Sequence, residues 1–223
     1  MRNGAGGALA VALLAVAAPA HAQSQEIVRD MAGPYQIVPT DGSPVCGIQL
    51  TAEPVGQAWR ARPDPTCAAR VRASAGVVAW RPVDGILLLD ARGKPAMTFV
   101  EDETALPSSP DLQSPKHYLV PRIAGYTHLP QPSELVGKWT LKGRGRAPCS
   151  LSLTATPASS SAPRRGIVFG AGCTGAPLPR KLTRWSMEDM KIMLWGANDE
   201  MLSLEPVADN SYVSEPGAWS LSR

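Results

Sequence analysis

Apolar and polar residues alternate along several short segments of the chain. Residues 149–155 alternate cysteine, leucine or alanine with serine or threonine, and residues 46–51 follow a similar pattern. In a strand, a period of two gives one buried face and one solvated face. Applied along the whole chain, this pattern predicts strands over 46–51, 57–62, 77–81, 86–90, 96–100, 139–142, 149–155, 166–171, 182–186, 192–195, 201–205, 212–214 and 219–222.

Turn-forming residues separate these segments. Asp84-Gly85 is a strong hairpin signal between two predicted strands. No long helical periodicity is visible, and the one helical turn we expect is 133–136, with Ser133 as its N-cap. Short strands at regular spacing with turns between them indicate an all-β sandwich or barrel.

The chain contains an internal repeat with a period of about 105 residues, which is the size of a complete small domain. The repeat is visible as Gly33, Tyr35, Cys46, Cys67, Trp80 and Phe99 in the first copy, and as Gly137, Trp139, Cys149, Cys173, Trp185 and Leu204 in the second. We therefore predict two tandem domains of one kind, over 23–110 and 133–223. The Pro-rich segment 111–132 is the predicted linker, with the alternative that 116–120 closes the first domain as its last strand.

The first 22 residues have the pattern of a secretory signal peptide. Arg2 precedes an apolar run over 8–20, and Ala20-His21-Ala22 supplies the small residues of a cleavage site. We expect the mature chain to begin at Gln23, with cleavage after Ala20 as the alternative. The apolar run is too short to span a bilayer, and no cysteine follows it to carry a lipid. The sequence predicts a periplasmic or secreted protein without a transmembrane segment.

Charge and cysteine content limit the classes of function that the chain could have. The net charge of +3 is too small to indicate a nucleic-acid partner. Four cysteines in an exported chain predict disulfides, and because each repeat holds one pair, we expect each bridge to lie within one copy. The predicted bridges are Cys46–Cys67 and Cys149–Cys173. A metal site is disfavoured, because neither copy contains a C-x-x-C motif or a histidine.

No catalytic constellation is recognisable. The mature chain has two histidines, His117 and His128, both in the predicted linker, and it has no H-E-x-x-H, G-x-S-x-G or phosphate-binding motif. The acidic cluster 101–103 is typical of a solvated turn. The sequence predicts neither an enzyme nor a cofactor. The tryptophans are expected to fill a core, with a ligand pocket as the alternative, and they are Trp59, Trp80, Trp139, Trp185, Trp195 and Trp219.

The second copy resembles the bacterial alkaline metalloproteinase inhibitor family, which includes outer-membrane lipoprotein relatives. The likeness lies in Leu129-Pro130-Gln131-Pro132-Ser133-Glu134-Leu135-Val136-Gly137-Lys138-Trp139, in the cysteine pair, and in Leu182-Thr183-Arg184-Trp185. The first copy resembles the family more loosely over 31–106 and carries Tyr35 at the position of Trp139. The resemblance implies two small eight-stranded antiparallel, lipocalin-like barrels.

The resemblance also implies a function. Family members inhibit secreted zinc metalloproteases of the serralysin type, with an extended N-terminal segment that enters the cleft and a barrel rim that supplies further contacts. The expected partner is therefore a secreted metalloprotease, and the zinc belongs to that target. The alternative is a non-inhibitory periplasmic or envelope module that binds a small apolar ligand or a protein partner.

Two segments correspond to the one that enters the protease. Ahead of the first barrel, the candidate protease-binding residues are Gln23, Ser24, Gln25, Glu26 and Ile27, with the Gln23 amine and the Ser24 hydroxyl expected nearest the zinc. Ahead of the second barrel, they are Pro130, Gln131, Pro132, Ser133 and Glu134. This second segment lies inside the chain and could dock only as a loop.

Overall fold

The structure is a computed structural model that describes residues 20–101, 105–110, 114–158, 164–170, 173, 182–196, 200–215 and 217–223. The predicted signal residues 1–19 lie outside this part of the chain. The helices are α1 (Ala20–Met31), α2 (Cys67–Arg70) and α3 (Pro132–Leu135), with a 3₁₀ turn at Arg72–Ser74. The strands are β1 (Gly33–Pro39), β2 (Cys46–Val55), β3 (Ala58–Pro63), β4 (Val77–Pro82), β5 (Gly85–Asp90), β6 (Pro95–Val100), β7 (His117–Pro121), β8 (Gly137–Gly143), β9 (Cys149–Pro157), β10 (Arg165–Phe169), β11 (Arg184–Glu188), β12 (Lys191–Trp195), β13 (Met201–Ala208), β14 (Ser211–Val213) and β15 (Trp219–Ser222).

The first seven strands form one antiparallel sheet in the order β6-β5-β4-β3-β2-β1-β7. Its two edges come together at Ser108, which bridges Val100 at the end of β6 to Tyr118 in β7. This bridge makes the sheet a nearly closed barrel. Strand β7 lies within the expected linker, and it pairs with β1 across the register Ile37 to Leu119.

The remaining eight strands form a closed antiparallel barrel, in which β15 pairs with β8. Its first hairpin has the register of the first barrel: Trp139 lies opposite Leu151 just as Tyr35 lies opposite Ile48. The predicted all-β fold of two small barrels is confirmed. Closure removes the free sheet edges that would otherwise pair with other chains.

Large aromatic side chains fill both interiors. Trp80 and Phe99 are fully buried in the first core, and Trp139, Trp185 and Tyr212 are buried in the second. The core role expected for these tryptophans is confirmed. Because interiors pack at the density of organic crystals, these rings occupy the space in which a barrel could otherwise hold a ligand.

One disulfide links each barrel, as predicted. Cys46–Cys67 joins the start of β2 to α2, and Cys149–Cys173 joins the start of β9 to the connection that follows β10. All four cysteines of the chain are therefore used in bridges. A small domain gains much of its stability from such cross-links.

The cap of α3 differs from the prediction. Gln131, and not Ser133, is the N-cap, and its backbone N–H donates to the Glu134 carboxylate in a capping box. Pro132 is favoured at the first helical position, where its missing N–H has no partner to lose. This preference places the N-cap two residues closer to the N-terminus than predicted.

Candidate functional site

The N-terminal segment is helical, and the expectation of an extended segment at 23–30 is wrong for this structure. Helix α1 consists mainly of good helix formers, and the chain turns into β1 at Gly33-Pro34. Val28 is fully buried in the first core, with Met31 packed beside it. Burial of this apolar face against the barrel favours the helix, which lies against β2.

The opposite side of α1 is open to solvent. Gln25 and Glu26 are exposed, and Ile27 leaves 48% of its surface accessible, which is high for a large apolar residue. The side chains of Gln23 and Ser24, the expected zinc-proximal residues, lie outside the described part of the structure. The described end of the segment therefore presents one apolar and two polar side chains.

The second candidate segment, 130–134, lies in a connection held between the two barrels. Immediately ahead of it, the Val45 N–H donates to the Thr127 carbonyl at 2.9 Å, and the Thr127 N–H donates to the Asp209 carboxylate at 2.8 Å. Pro44 also bridges His128 in a short antiparallel pairing. The backbone that leads into the segment is thus already paired with both barrels.

Within the segment, only Ser133 and Glu134 are well exposed. Gln131 donates from its side-chain amide to the Thr40 carbonyl at 3.2 Å, and Arg223 donates to the Glu134 carbonyl at 2.7 Å. The Gln131 N–H, followed by His128 beside it, lowers the pKa of the Glu134 carboxyl. Glu134 is thus a helix cap that is held in its ionised form.

The inter-barrel contact was not predicted. Its apolar part contains residues from both barrels and from the connection, namely Val38, Val45, Tyr118, Val120, Tyr126, Leu129 and Met190. At its edge, the Tyr118 hydroxyl donates to Asp189 at 3.1 Å. Burial, together with the charge of Asp189, raises the pKa of Tyr118 to about 12. The hydroxyl therefore remains a donor at physiological pH.

An apolar cleft of about 270 Å³ opens between the barrels. Val120 and Ile123 line one side, and Met190 and Pro206 line the other. Lys191 and Glu205, which form an ion pair at 2.7 Å, lie at its rim. This volume is close to the lower limit of small-ligand sites in proteins.

The described residues contain no group of three or more His, Cys, Asp or Glu side chains that could hold a metal ion. Of the acidic cluster at 101–103, residues 102 and 103 lie outside the described part. No helix within that part is long and apolar enough to cross a membrane. The exposed N-terminal segment and the inter-barrel connection are thus the features that the sequence and the structure both single out.

The comparison with protein families decides the classification. The family described as protease inhibitor Inh matches residues 26–106 and, separately, residues 129–222. The chain belongs to the Inh family of protease inhibitors. The two matches correspond to the two barrels, so the Inh domain occurs here as a tandem pair, as predicted. A search of curated proteins finds no match to the chain.

The family matches can be compared with the positions of the two candidate segments. The first match begins at Glu26, inside α1, and the second begins at Leu129, next to the second candidate segment. Both candidate segments therefore lie at the start of an Inh domain. The two disulfides of this Inh protein are compatible with an extracellular or periplasmic location.

Proposed function

We propose that this Inh protein is an exported, stoichiometric inhibitor of a secreted zinc metalloprotease of the serralysin type. In this proposal, residues 1–22 direct export, and the inhibitor domains are 23–110 and 133–223. The connecting segment 111–132 includes β7, the last strand of the first domain. The observation that carries it is the exposed Ile27 on an N-terminal segment of a chain in a protease inhibitor family. Inhibition requires no catalytic group and no cofactor of its own.

The docking element is the N-terminal segment Gln23 to Ile27. Cleavage after Ala22 removes the first residues of α1, and helices shorter than about 12–15 residues are marginal in water without tertiary contacts. Within the described side chains of α1, the fully buried anchor is Val28, so residues 23–27 have little to hold them helical. They can unwind into an extended segment of roughly 17 Å, which can pair with the edge of a protease cleft.

The internal segment 130–134 is a second candidate contact. Ser133 is its most useful probe, because Ser133 is exposed whereas Glu134 is required for the cap of α3. The arginine variant Ser133→Arg adds bulk and charge there without removing a hydrogen bond of the capping box. If this loop touches the protease, Ser133→Arg weakens inhibition by tenfold or more.

The test is a titration of a serralysin-type protease with residues 23–223. We expect activity to fall linearly to an endpoint near one equivalent. The truncated chain 28–223 should lose inhibition while its unfolding midpoint stays unchanged. The matched control is Val168→Asp, since Val168 is an exposed apolar residue on the second barrel. Full activity at a large excess of inhibitor would reject this protease class, and full inhibition by 28–223 would reject the segment.

A second candidate function is the binding of a small apolar ligand, and the inter-barrel cleft favours it. In that case, an apolar fluorescent probe should bind to residues 23–223 and to 28–223 equally. Met190→Arg, which places a charge in the cleft, should abolish that binding and leave protease inhibition intact. The two functions therefore separate in one set of variants.

A further inference from the structure

The outer face of the first barrel carries a cavity of about 350 Å³ near one end of β3, β4 and β5. Small residues make this face concave, because Ala58 and Ala79 leave space where larger side chains would fill it. Its apolar lining consists of Val55, Ala58, Val78, Ala79, Leu89 and Ala91. Ala58, Ala79 and Leu89 are themselves buried and form a small cluster separate from the barrel core.

A single arginine of β4 lines this apolar cavity. Arg81 follows Ala79 by two residues, so both side chains point to the same face of the strand. Its Nε atom is buried and has no hydrogen-bond partner among the described residues. Nothing in the described part of the chain forms an ion pair with it. The side chain as a whole is only half-buried, so the part of the guanidinium that a ligand can meet is its terminal nitrogens.

Asp90, the carboxylate in the described lining of the cavity, does not pair with Arg81. Asp90 accepts hydrogen bonds at one oxygen from the backbone N–H groups of Arg92 at 2.8 Å and Lys94 at 2.9 Å. These bonds hold Asp90 in the turn between β5 and β6. The side chains of Arg92 and Lys94 are exposed in the same turn.

We propose that this cavity binds a small carboxylate that carries an apolar body. A carboxylate matches the planar fork of a guanidinium and would pair with the terminal nitrogens of Arg81, which are not among the buried unpartnered atoms. The alanine, valine and leucine walls would remove the apolar body from water, as in most small-ligand sites. We expect binding here to be independent of the proposed protease inhibition. Apart from Val55 at the end of β2, the lining lies on β3, β4, β5 and the adjoining turns, whereas α1 lies against β2.

The test uses octanoate as the probe and calorimetry on residues 23–223. We expect saturable binding with one site per chain, and no comparable binding of octylamine or octanol. Arg81→Met keeps the length of the side chain and removes its charge, and it should weaken octanoate binding at least tenfold. Arg92→Met removes the same charge from the neighbouring turn and should leave the affinity within twofold of wild type.

A filling variant tests the apolar half of the site. Ala79→Leu keeps Arg81 and occupies the cavity, so octanoate affinity should again fall at least tenfold. Circular dichroism verifies the fold, and if Ala79→Leu does not fold, the pair Arg81→Met and Arg92→Met decides alone. Absence of saturable binding to wild type at millimolar octanoate, or equal affinity of Arg81→Met, would overturn the proposal. Titration of the protease with the same variants shows whether octanoate binding and protease inhibition change independently, as we expect.

Discussion

The indole Nε1 of Trp80 donates a hydrogen bond to the backbone oxygen of Thr51 at 2.9 Å. In the second barrel, Trp185 donates to the backbone oxygen of Thr154 at 3.0 Å. The two threonines also match, since each hydroxyl donates to a carbonyl of the next strand, Arg60 or Gly166. The repeat therefore extends from residue identity to individual hydrogen bonds.

Loss of either indole donor should destabilise its barrel. In Trp80→Phe and Trp185→Phe, the threonine carbonyl loses its donor, which costs about 1–3 kcal/mol in the free energy of unfolding. Urea denaturation measures the loss. The control is Trp219→Phe, because Trp219 is only half-buried and a smaller loss is expected there. Equal losses in all three variants would show that ring volume, and not this hydrogen bond, determines the effect.

Each disulfide should stabilise its own barrel by about 3 kcal/mol, because the bridge restricts the unfolded chain. The bridges span similar sequence separations of 21 and 24 residues, so similar contributions are expected. Double alanine variants of each pair, unfolded in denaturant under oxidising conditions, measure them separately. A loss below about 1 kcal/mol would mean that native-state strain offsets the restriction of the unfolded chain.

His117 should make stability depend on pH. Burial lowers its pKa below the ordinary value of 6.5, and the nearby Asp41 only partly opposes this shift. The unfolded chain therefore binds a proton more readily, so the contribution of His117 is fully present above pH 6.5 and is lost as pH falls towards its folded pKa.

The variant His117→Leu isolates this effect. Its unfolding midpoint should fall less than that of wild type between pH 7.5 and about 5.5, the range over which an unperturbed histidine titrates. Thermal unfolding at several pH values makes the comparison. Parallel curves for the two proteins would exclude His117 as the source of the pH dependence.

Substitution of Val28 should affect mainly stability, whereas substitution of Ile27 should affect mainly inhibition. Val28→Ala removes a fully buried side chain and should lower the free energy of unfolding by about 1.5–3 kcal/mol. Ile27→Ala, on the exposed side of α1, should change stability by less than about 0.5 kcal/mol. If the N-terminal segment docks into the protease, Ile27→Ala should nevertheless weaken inhibition about tenfold. Denaturation and protease titration on the same samples separate the two effects.

The inter-barrel connection should respond to the loss of Asp209. Asp209 accepts from both the backbone and the hydroxyl of Thr127, so Asp209→Ala removes the acceptor of the Thr127 N–H and leaves the hydroxyl with His128 Nδ1 as its neighbour. We expect a loss of about 0.5–1.5 kcal/mol, since the bonds are exposed and water replaces them in part. We also expect the two barrels of Asp209→Ala to lie farther apart on average, which small-angle X-ray scattering would detect as a larger radius of gyration. Asn210→Ala, on the adjacent turn residue, is the control for altered turn geometry.

Alternation predicted strands well where one face meets water and poorly where both faces are buried. In β1, Ile37 faces the first core while the adjacent Val38 packs between the barrels, so no alternation remains to predict a strand. Likewise in β7, Leu119 lies in the core and its neighbours Tyr118 and Val120 lie in the inter-barrel cluster. The sequence therefore predicted this strand only as an alternative within the linker.

The sequence by itself determined the repeat, the disulfide pairing and the all-β class, because these depend on local alternation and on residues that recur at fixed spacing. The choice of a barrel and the inhibitor family followed from the resemblance of those recurring residues to a known family. Only the tertiary structure decided that the segment before the first barrel is helical and that the connection at 127–134 joins two barrels in contact. It also decided that Arg81 lies beside an apolar cavity, with no ion-pair partner among the described residues. These features depend on which distant side chains meet, and a one-dimensional pattern carries no record of such contacts.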